Sequence, residues 1–367
     1  MPAQIVANAP RDLRFFDTAS SIEVDHMDIE LDEQAVNEVA EIFKTPLTGS
    51  FNWDYRLQED RIQKLYELGK ELNWNASTDL DWSKPIGEAP TEIRIIQSGF
   101  SEYQPFLDLS EERQLEFIRH SEAWTDSQFL HGEQGALLVA SQLVSCAPTY
   151  NAKLYAASQT FDEARHVETF NRYLQQKKKL MYPIDGALKN IIDKILTDER
   201  WDLKFIGMQV VIEGLALAAF TTMKELVNPE GFKHDMLHLI IRDEARHVAF
   251  GIHYLAEYVQ TLSQEEKEDR AEFAYQACVV SRERLVPTDV FREFGFDVEE
   301  ARQVFLDGGA AAHFRKLLFS RVIPNLRRIG LLTDRIRPKF EALGILEYEN
   351  MPDDGEIDWA ELSKPLY

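Results

Sequence analysis

The sequence predicts a mainly α protein, a four-helix bundle with one longer crossover, extended by additional N- and C-terminal helices. Three observations predict it. From about Ser110 to Leu262 glycine and proline are scarce, and apolar residues recur at spacings of three and four, the period of a helix with one packed face. Strong breakers divide this stretch into four segments of bundle-helix length. No alternation of period two and no βαβ pattern occurs, so a sheet is not expected.

The elements follow in order. Residues 1–109 read as a wrapping segment with a short acidic helix around Asp32 to Phe43, a longer one around Tyr55 to Leu72, and anchors at Trp53, Trp74, Trp82, Pro85 and Pro90. The first long helix runs from about Ser110 and stops at Ala147-Pro148. The second runs from about Asn151 to Lys178, before Tyr182-Pro183. After a crossover with its own helical patch (Ala187 to Leu196), the third runs from about Asp198 and ends at Asn228-Pro229-Glu230-Gly231. The fourth spans about Lys233 to Leu262. Residues 263–367 give further helices, broken at Pro287 and Gly308-Gly309, and an acidic tail expected at the periphery. The three divisions, 1–109, 110–262 and 263–367, read as wrap, core and C-terminal helices of what is expected to be one unit.

Composition narrows the function. The 367 residues are 44% hydrophobic and 28% charged, as in a folded soluble protein. A formal charge of −23 disfavours coating nucleic acid or docking on an anionic membrane. Cys146 and Cys278 form no CxxC pair, which removes thiolate metal sites and predicts a reducing, cytoplasmic setting. The most apolar stretch, Phe205 to Met223, carries Gln209 and Glu213 near its middle, so it reads as a buried helix rather than a membrane span.

That buried carboxylate belongs to a pattern. The hexapeptide Asp-Glu-Ala-Arg-His-Val occurs at 162–167 and again at 243–248. Each copy contains Glu-x-x-His, Glu163 with His166 and Glu244 with His247, and positions i and i+3 share a helix face. One further carboxylate precedes each copy by about thirty residues on the preceding helix: Glu133 and Glu213. Both members of each pair stand about fifteen residues from the intervening turn, so at about 1.5 Å per residue they lie at matching depth. Two such hairpins bring four Glu and two His to one level of the bundle. Phe129, Ala136, Val210, Leu217, Ile240 and Val248 surround them, and lone carboxylates in such surroundings are costly. Two divalent cations balance four carboxylates, and hard oxygen with imidazole suits Fe or Mn. Asp162 and Asp243 are placed to hold the ligand imidazoles by their free nitrogens, with Arg165 and Arg246 neutralising them. His26, His120, His131, His234, His238, His253 and His313 match no ligand spacing and read as structural or surface residues.

The doubled E-x(28–29)-D-E-x-R-H pattern, over about residues 110–262, resembles the ferritin-like di-iron carboxylate oxygenases. These include hydroxylase subunits of bacterial multicomponent monooxygenases, aromatic acyl-CoA epoxidases, aminobenzoate-type N-oxygenases and, more distantly, ribonucleotide reductase small subunits. The resemblance implies a di-iron centre, with Mn/Fe as a variant, and O₂ as co-substrate. It implies a monooxygenase-type reaction on an organic, apolar or aromatic small molecule. Electrons would come from a separate reductase or ferredoxin, because no flavin or nicotinamide fingerprint occurs. Three positions depart from relatives. Phe170 stands where the reductase small subunit has its radical tyrosine. Ile240 stands where the N-oxygenases carry an additional histidine ligand, which argues against their seven-ligand set. Leu217 stands where multicomponent hydroxylases have a threonine. With Thr160 and Gln209, these side chains are the candidates for the pocket lining. A ferroxidase or iron-handling protein and a radical-generating subunit remain the alternative readings. Helices outside the core predict a homodimer.

Overall fold

The computed structural model describes residues 48–55, 60–283, 286–307, 314 and 316–356. The short helix expected around Asp32 to Phe43 lies outside the described residues, as do His26 and His313. Among the described residues the structure is helical, with no β-sheet: α1 (Asp60–Glu71), α2 (Thr91–Gln97), α3 (Gln104–Leu107), α4 (Glu111–Cys146), α5 (Tyr150–Tyr173), α6 (Gly186–Thr197), α7 (Trp201–Leu226), α8 (Phe232–Thr261), α9 (Gln264–Glu283), α10 (Thr288–Glu293), α11 (Val298–Asp307), α12 (Phe319–Ile329) and α13 (Arg337–Ala342).

The ends of the core helices follow from local chemistry. The Ser110 hydroxyl accepts the Arg113 N–H at the start of α4, and Thr149 accepts that of Ala152 at the start of α5. Pro148 separates the two, closing an antiparallel hairpin. Helix α5 ends in a π-helical turn (Leu174–Lys178), after which Lys179 takes the left-handed conformation (φ 51°) and breaks the helix. The crossover carries α6, whose first N–H groups are capped by Asp185. Helices α7 and α8 form the second hairpin across the turn at 228–231, and α5 packs against α8 between the hairpins.

Helix α7 is not a regular α-helix. Residues Ile206–Ile212 form a π-helical segment directly before Glu213. The whole helix, Trp201–Leu226, is long and apolar enough to cross a membrane by composition, and its apolar part is buried inside the fold.

The wrap reaches the bundle core. Trp74 is buried, and Trp82 packs on Phe232 with ring centroids 4.5 Å apart, whereas Trp53 is 75% exposed and anchors nothing among the described residues. Carbonyls of Pro85 and Ile86 accept the N–H groups of Phe232 and Lys233, satisfying donors that the first turn of α8 leaves free. This requires close backbone approach: a Cβ on Gly87 would lie 2.4 Å from the Gly231 Cα, so both positions need glycine. The C-terminal region also departs from expectation. Asp354, expected at the periphery, is buried against Arg321 and Asn325 of α12, which also accommodates Pro324.

Candidate metal centre

The structure brings all six sequence-predicted Glu and His side chains together. Glu133 comes from α4, Glu163 and His166 from α5, Glu213 from α7, and Glu244 and His247 from α8; each is at most 5% exposed. Glu133, Glu163, His166 and Glu244 form one group, and Glu163, Glu213 and His247 a second, with donor atoms within 4.8 Å of one another in each. Glu163 belongs to both groups.

Imidazole orientation is unambiguous. His166 Nδ1 faces carboxylate oxygens of Glu244 at 3.1 Å, Glu133 at 3.2 Å and Glu163 at 3.4 Å. His247 Nδ1 lies 3.0 Å from Glu163. The opposite nitrogens face aspartates crosswise: His166 Nε2 is 3.2 Å from Asp243, and His247 Nε2 is 3.2 Å from Asp162. Each copy of the hexapeptide therefore supports the histidine of the other copy. With Nε2–H donated to aspartate, the neutral imidazole would present its Nδ1 lone pair to a cation at the cluster centre.

Arg165 and Arg246 complete the arrangement. Each guanidinium donates to both Asp162 and Asp243, giving a buried ring of alternating charge. Burial raises the Asp243 carboxyl, but the neighbouring Arg246 and His166 outweigh it and hold the group well below the usual range.

The cluster itself is short of cations. Burial, and then the charge of Glu244, push Glu133 up to about 8; burial and the charge of Glu163 push Glu213 far up as well. For Glu163, burial is outweighed by the positive charge of His247 and by hydrogen bonding to both imidazoles, and the net shift is downward. Burial lowers both histidines, but their carboxylate partners outweigh it and raise them well above the ordinary value. Several of the ligating atoms, although near one another, complete no hydrogen bond of good geometry: Glu163 Oε2, Glu213 Oε2, both Glu244 oxygens and His247 Nδ1. Such buried atoms from three helices, with Glu133 from the fourth, fit a pair of divalent cations, both in number of donors and in charge.

Three supporting residues escaped the sequence reading. Gln159, one turn before Glu163, donates from Nε2 to Glu163 at 3.1 Å and Glu213 at 2.7 Å. Trp74 Nε1 donates to Asp243 at 2.7 Å, and Asn73 accepts from Arg165. The i−4 spacing of Gln159 is a signal that was available; Trp74 and Asn73 lie far off in sequence and gave none. Of the pocket candidates, Phe170, Gln209, Leu217 and Ile240 are buried around the cluster. Thr160 is not among them: its half-buried hydroxyl donates to Ala156 O of its own helix at 2.7 Å. Gln209 reaches the centre only through Gln159, 3.4 Å away. His131 contacts the Tyr182 carbonyl and His238 contacts Lys224, away from the centre.

The sequence pattern of the family described as p-aminobenzoate N-oxygenase AurF matches residues 56–330. The chain belongs to that family. Its class is that of the non-haem di-iron oxidoreductases with a ferritin-like helical fold. The match extends beyond 110–262 into the wrap and the C-terminal helices, which a reading from the doubled pattern alone left unassigned. No curated protein sequence matches. Among solved structures, an R2-like ligand-binding oxidase with aerobically reconstituted Mn/Fe cofactor is 18% identical, with a TM-score of 0.46, covering 77% of this chain and 95% of that one. The same type of oxidase after photoconversion of its metal cofactor gives 18% and 0.46, covering 76% and 95%. Within the AurF family, this chain carries Ile240, fully buried, where the sequence comparison expected an extra histidine of the N-oxygenases, and among the described residues no other histidine joins the six-residue cluster.

Proposed function

We propose that this protein is an O₂-dependent oxygenase in which Glu133, Glu163, His166, Glu213, Glu244 and His247 hold two iron ions, or one manganese and one iron, and that it oxidises an apolar or aromatic small molecule. The observation that carries the reading is the convergence of four buried carboxylates and two imidazole Nδ1 atoms, several with no hydrogen bond of good geometry, on two overlapping groups. The ions, when bound, supply reductive activation of O₂, with electrons delivered by a separate reductase or ferredoxin.

The chain's own residues prepare the site. Asp162 and Asp243 hold the imidazoles in the tautomer that presents Nδ1, and the two arginines pair with both aspartates. Gln159 fixes one oxygen each of Glu163 and Glu213, and the other oxygen of each completes no hydrogen bond within the protein. Phe129, Phe170, Leu217, Phe220 and Ile240 exclude water from one side of the cluster.

Oxygen uptake by the iron-loaded protein, supplied with a reductant and a panel of organic compounds, tests this. The expected result is uptake that depends on the compound, with one atom of ¹⁸O₂ recovered in a product. Uptake indifferent to every compound, ending in deposited ferric iron, would contradict it and favour iron handling.

A further inference from the structure

The end of the bundle where α4 and α8 begin and α7 ends holds a cavity of about 400 Å³, a size suited to a small organic ligand. Ser121 and Thr125 of α4, Met223 and Leu226 of α7, and Phe305 and Phe314 from the C-terminal region line it. The wrap and the C-terminal helices therefore build this chamber around the bundle.

Its position relative to the metal centre follows from helix geometry. Thr125, Phe129 and Glu133 succeed one another at four-residue intervals on one face of α4. Met223, Phe220, Leu217 and Glu213 do the same on α7 at intervals of three and four. Thr125 is eight residues from Glu133, about 12 Å along the axis. Between the two levels stand three phenylalanines in mutual contact: Phe129 and Phe220 at 4.8 Å, Phe170 and Phe220 at 5.7 Å, and Phe129 and Phe170 at 6.1 Å between centroids. Chamber and carboxylates thus share one stripe of the bundle, separated by a single aromatic layer.

The chamber's polar groups define its ligand. Each charged side chain on its wall is paired within the protein. Arg94 binds Glu122 at 2.9 Å and Glu88 at 2.7 Å, Lys178 also binds Glu122, and Lys233 binds Asp126 at 2.9 Å. Thr125 and Thr222 donate their hydroxyl protons to Ser121 O and Ala218 O. The Ser121 hydroxyl is buried and has no partner. An anionic ligand would have to break an ion pair to find a cation here, at a desolvation cost, whereas an uncharged one needs only the apolar wall and one hydrogen bond.

We propose that this chamber is the substrate site, and that it takes an uncharged, largely apolar molecule carrying one hydrogen-bonding group, held at Ser121. Reaction requires contact distances of about 3–3.5 Å, so Phe129 or Phe220 turns aside when the substrate advances to the metals. This rests on the oxygenase reading for the chemistry, but ligand binding is measured without it.

The test uses the metal-free full-length protein and the neutral fluorophore N-phenyl-1-naphthylamine. The expected result is saturable binding at one site, displaced by benzamide-type neutral compounds and not by p-aminobenzoate at equal concentration. Met223→Trp and Leu226→Trp, the second at the more exposed rim, each weaken binding at least about tenfold while the metal content after reloading stays that of the parent. In protein loaded with Mn(II), the ¹⁹F line of a bound fluorinated neutral aryl compound broadens more in Phe220→Ala than in the parent, because the layer is opened. Unchanged binding in both tryptophan variants overturns the location, and equal competition by the anion overturns the ligand class. Probe binding as expected, in a protein that fails the oxygen-uptake test, supports the site and rejects the oxygenase reading alone.

Discussion

The α4–α5 and α7–α8 hairpins carry the same hexapeptide at the same depth, yet they are not equivalent. In the first, Glu133 lies within one uninterrupted helix of 36 residues; in the second, Glu213 directly follows the π-helical segment 206–212. Asp162 is held by Arg165, Arg246 and His247, whereas Asp243 has the equivalent three partners and Trp74 as well. The wrap meets both hairpins at their turns, through Ser50 and Asn52, which donate to the Ser145 and Pro148 carbonyls of the first, and through Pro85, Ile86 and Gly87, which accept from Phe232, Lys233 and Asn228 of the second. Thus the carboxylate and imidazole chemistry is duplicated, while the supports that orient it are asymmetric and come from outside the repeat. Two groups that share Glu163 are thereby supported by different surroundings.

The comparison yields graded expectations. The largest effect falls on the shared ligand. Glu163→Ala abolishes binding of both ions, while Glu213→Ala, outside the first group, leaves one; elemental analysis of each reloaded variant reads the difference. Next come the crosswise aspartates. Asp243→Asn weakens metal affinity by about 10–100-fold, and Asp162→Asn stands toward the lower end of that range, in chelator competition. Equal losses would remove the asymmetry.

A third expectation concerns the ion pairs at the end of the bundle. Burial raises the Glu122 carboxyl, but Lys178 and Arg94 outweigh it and bring it to about 2 from 4.5. A carboxylate depressed in the folded state stabilises fully above its unfolded value and loses that contribution as pH falls toward the folded one. Glu122→Gln should therefore cost about 1–3 kcal/mol at neutral pH, shrinking between pH 4.5 and about 2, as followed by urea unfolding. The smallest effect is Trp74→Phe, which keeps the ring packing and removes one hydrogen bond to a charged group. A loss of about 1.5–3 kcal/mol is its ceiling, and Asp243, with three partners left, brings it toward 1.

How much of this was legible in the sequence depends on range. Helices α4 and α8 begin and end, and α5 begins, within about two residues of where Ser110, Pro148, Asn151, Gly231 and Leu262 place them, because caps and breakers act locally, whereas α5 gives way at Tyr173 to a π turn that runs to the expected end at Lys178. The six converging side chains were legible because a repeat at fixed distance from two turns sets depth without tertiary information. The π segment was not: nothing in Ile206 to Ile212 marks a widened turn, and the close approach of Gln209 to Gly251, whose missing side chain leaves the room, joins residues 42 positions apart. Crosswise pairing of Asp162 with His247 was equally hidden, since spacing places both aspartates near both imidazoles and only the rotation of the helices chooses. Trp74 lies 169 residues from its partner Asp243, and nothing in local pattern links them. The chamber is assembled from α2, α4, α7, α8 and the C-terminal region, so the pocket list drawn from the core alone named Phe170 of the layer that closes it, and Leu217 and Ile240 one turn from metal-centre carboxylates, rather than its walls.

The most direct test of the central claim is anomalous diffraction from crystals of the protein reconstituted with iron. Two peaks within bonding distance of Nδ1 of His166 and of His247, both touching Glu163, are the predicted result. A single peak, a peak at Nε2, or ions bound only on the surface would contradict it.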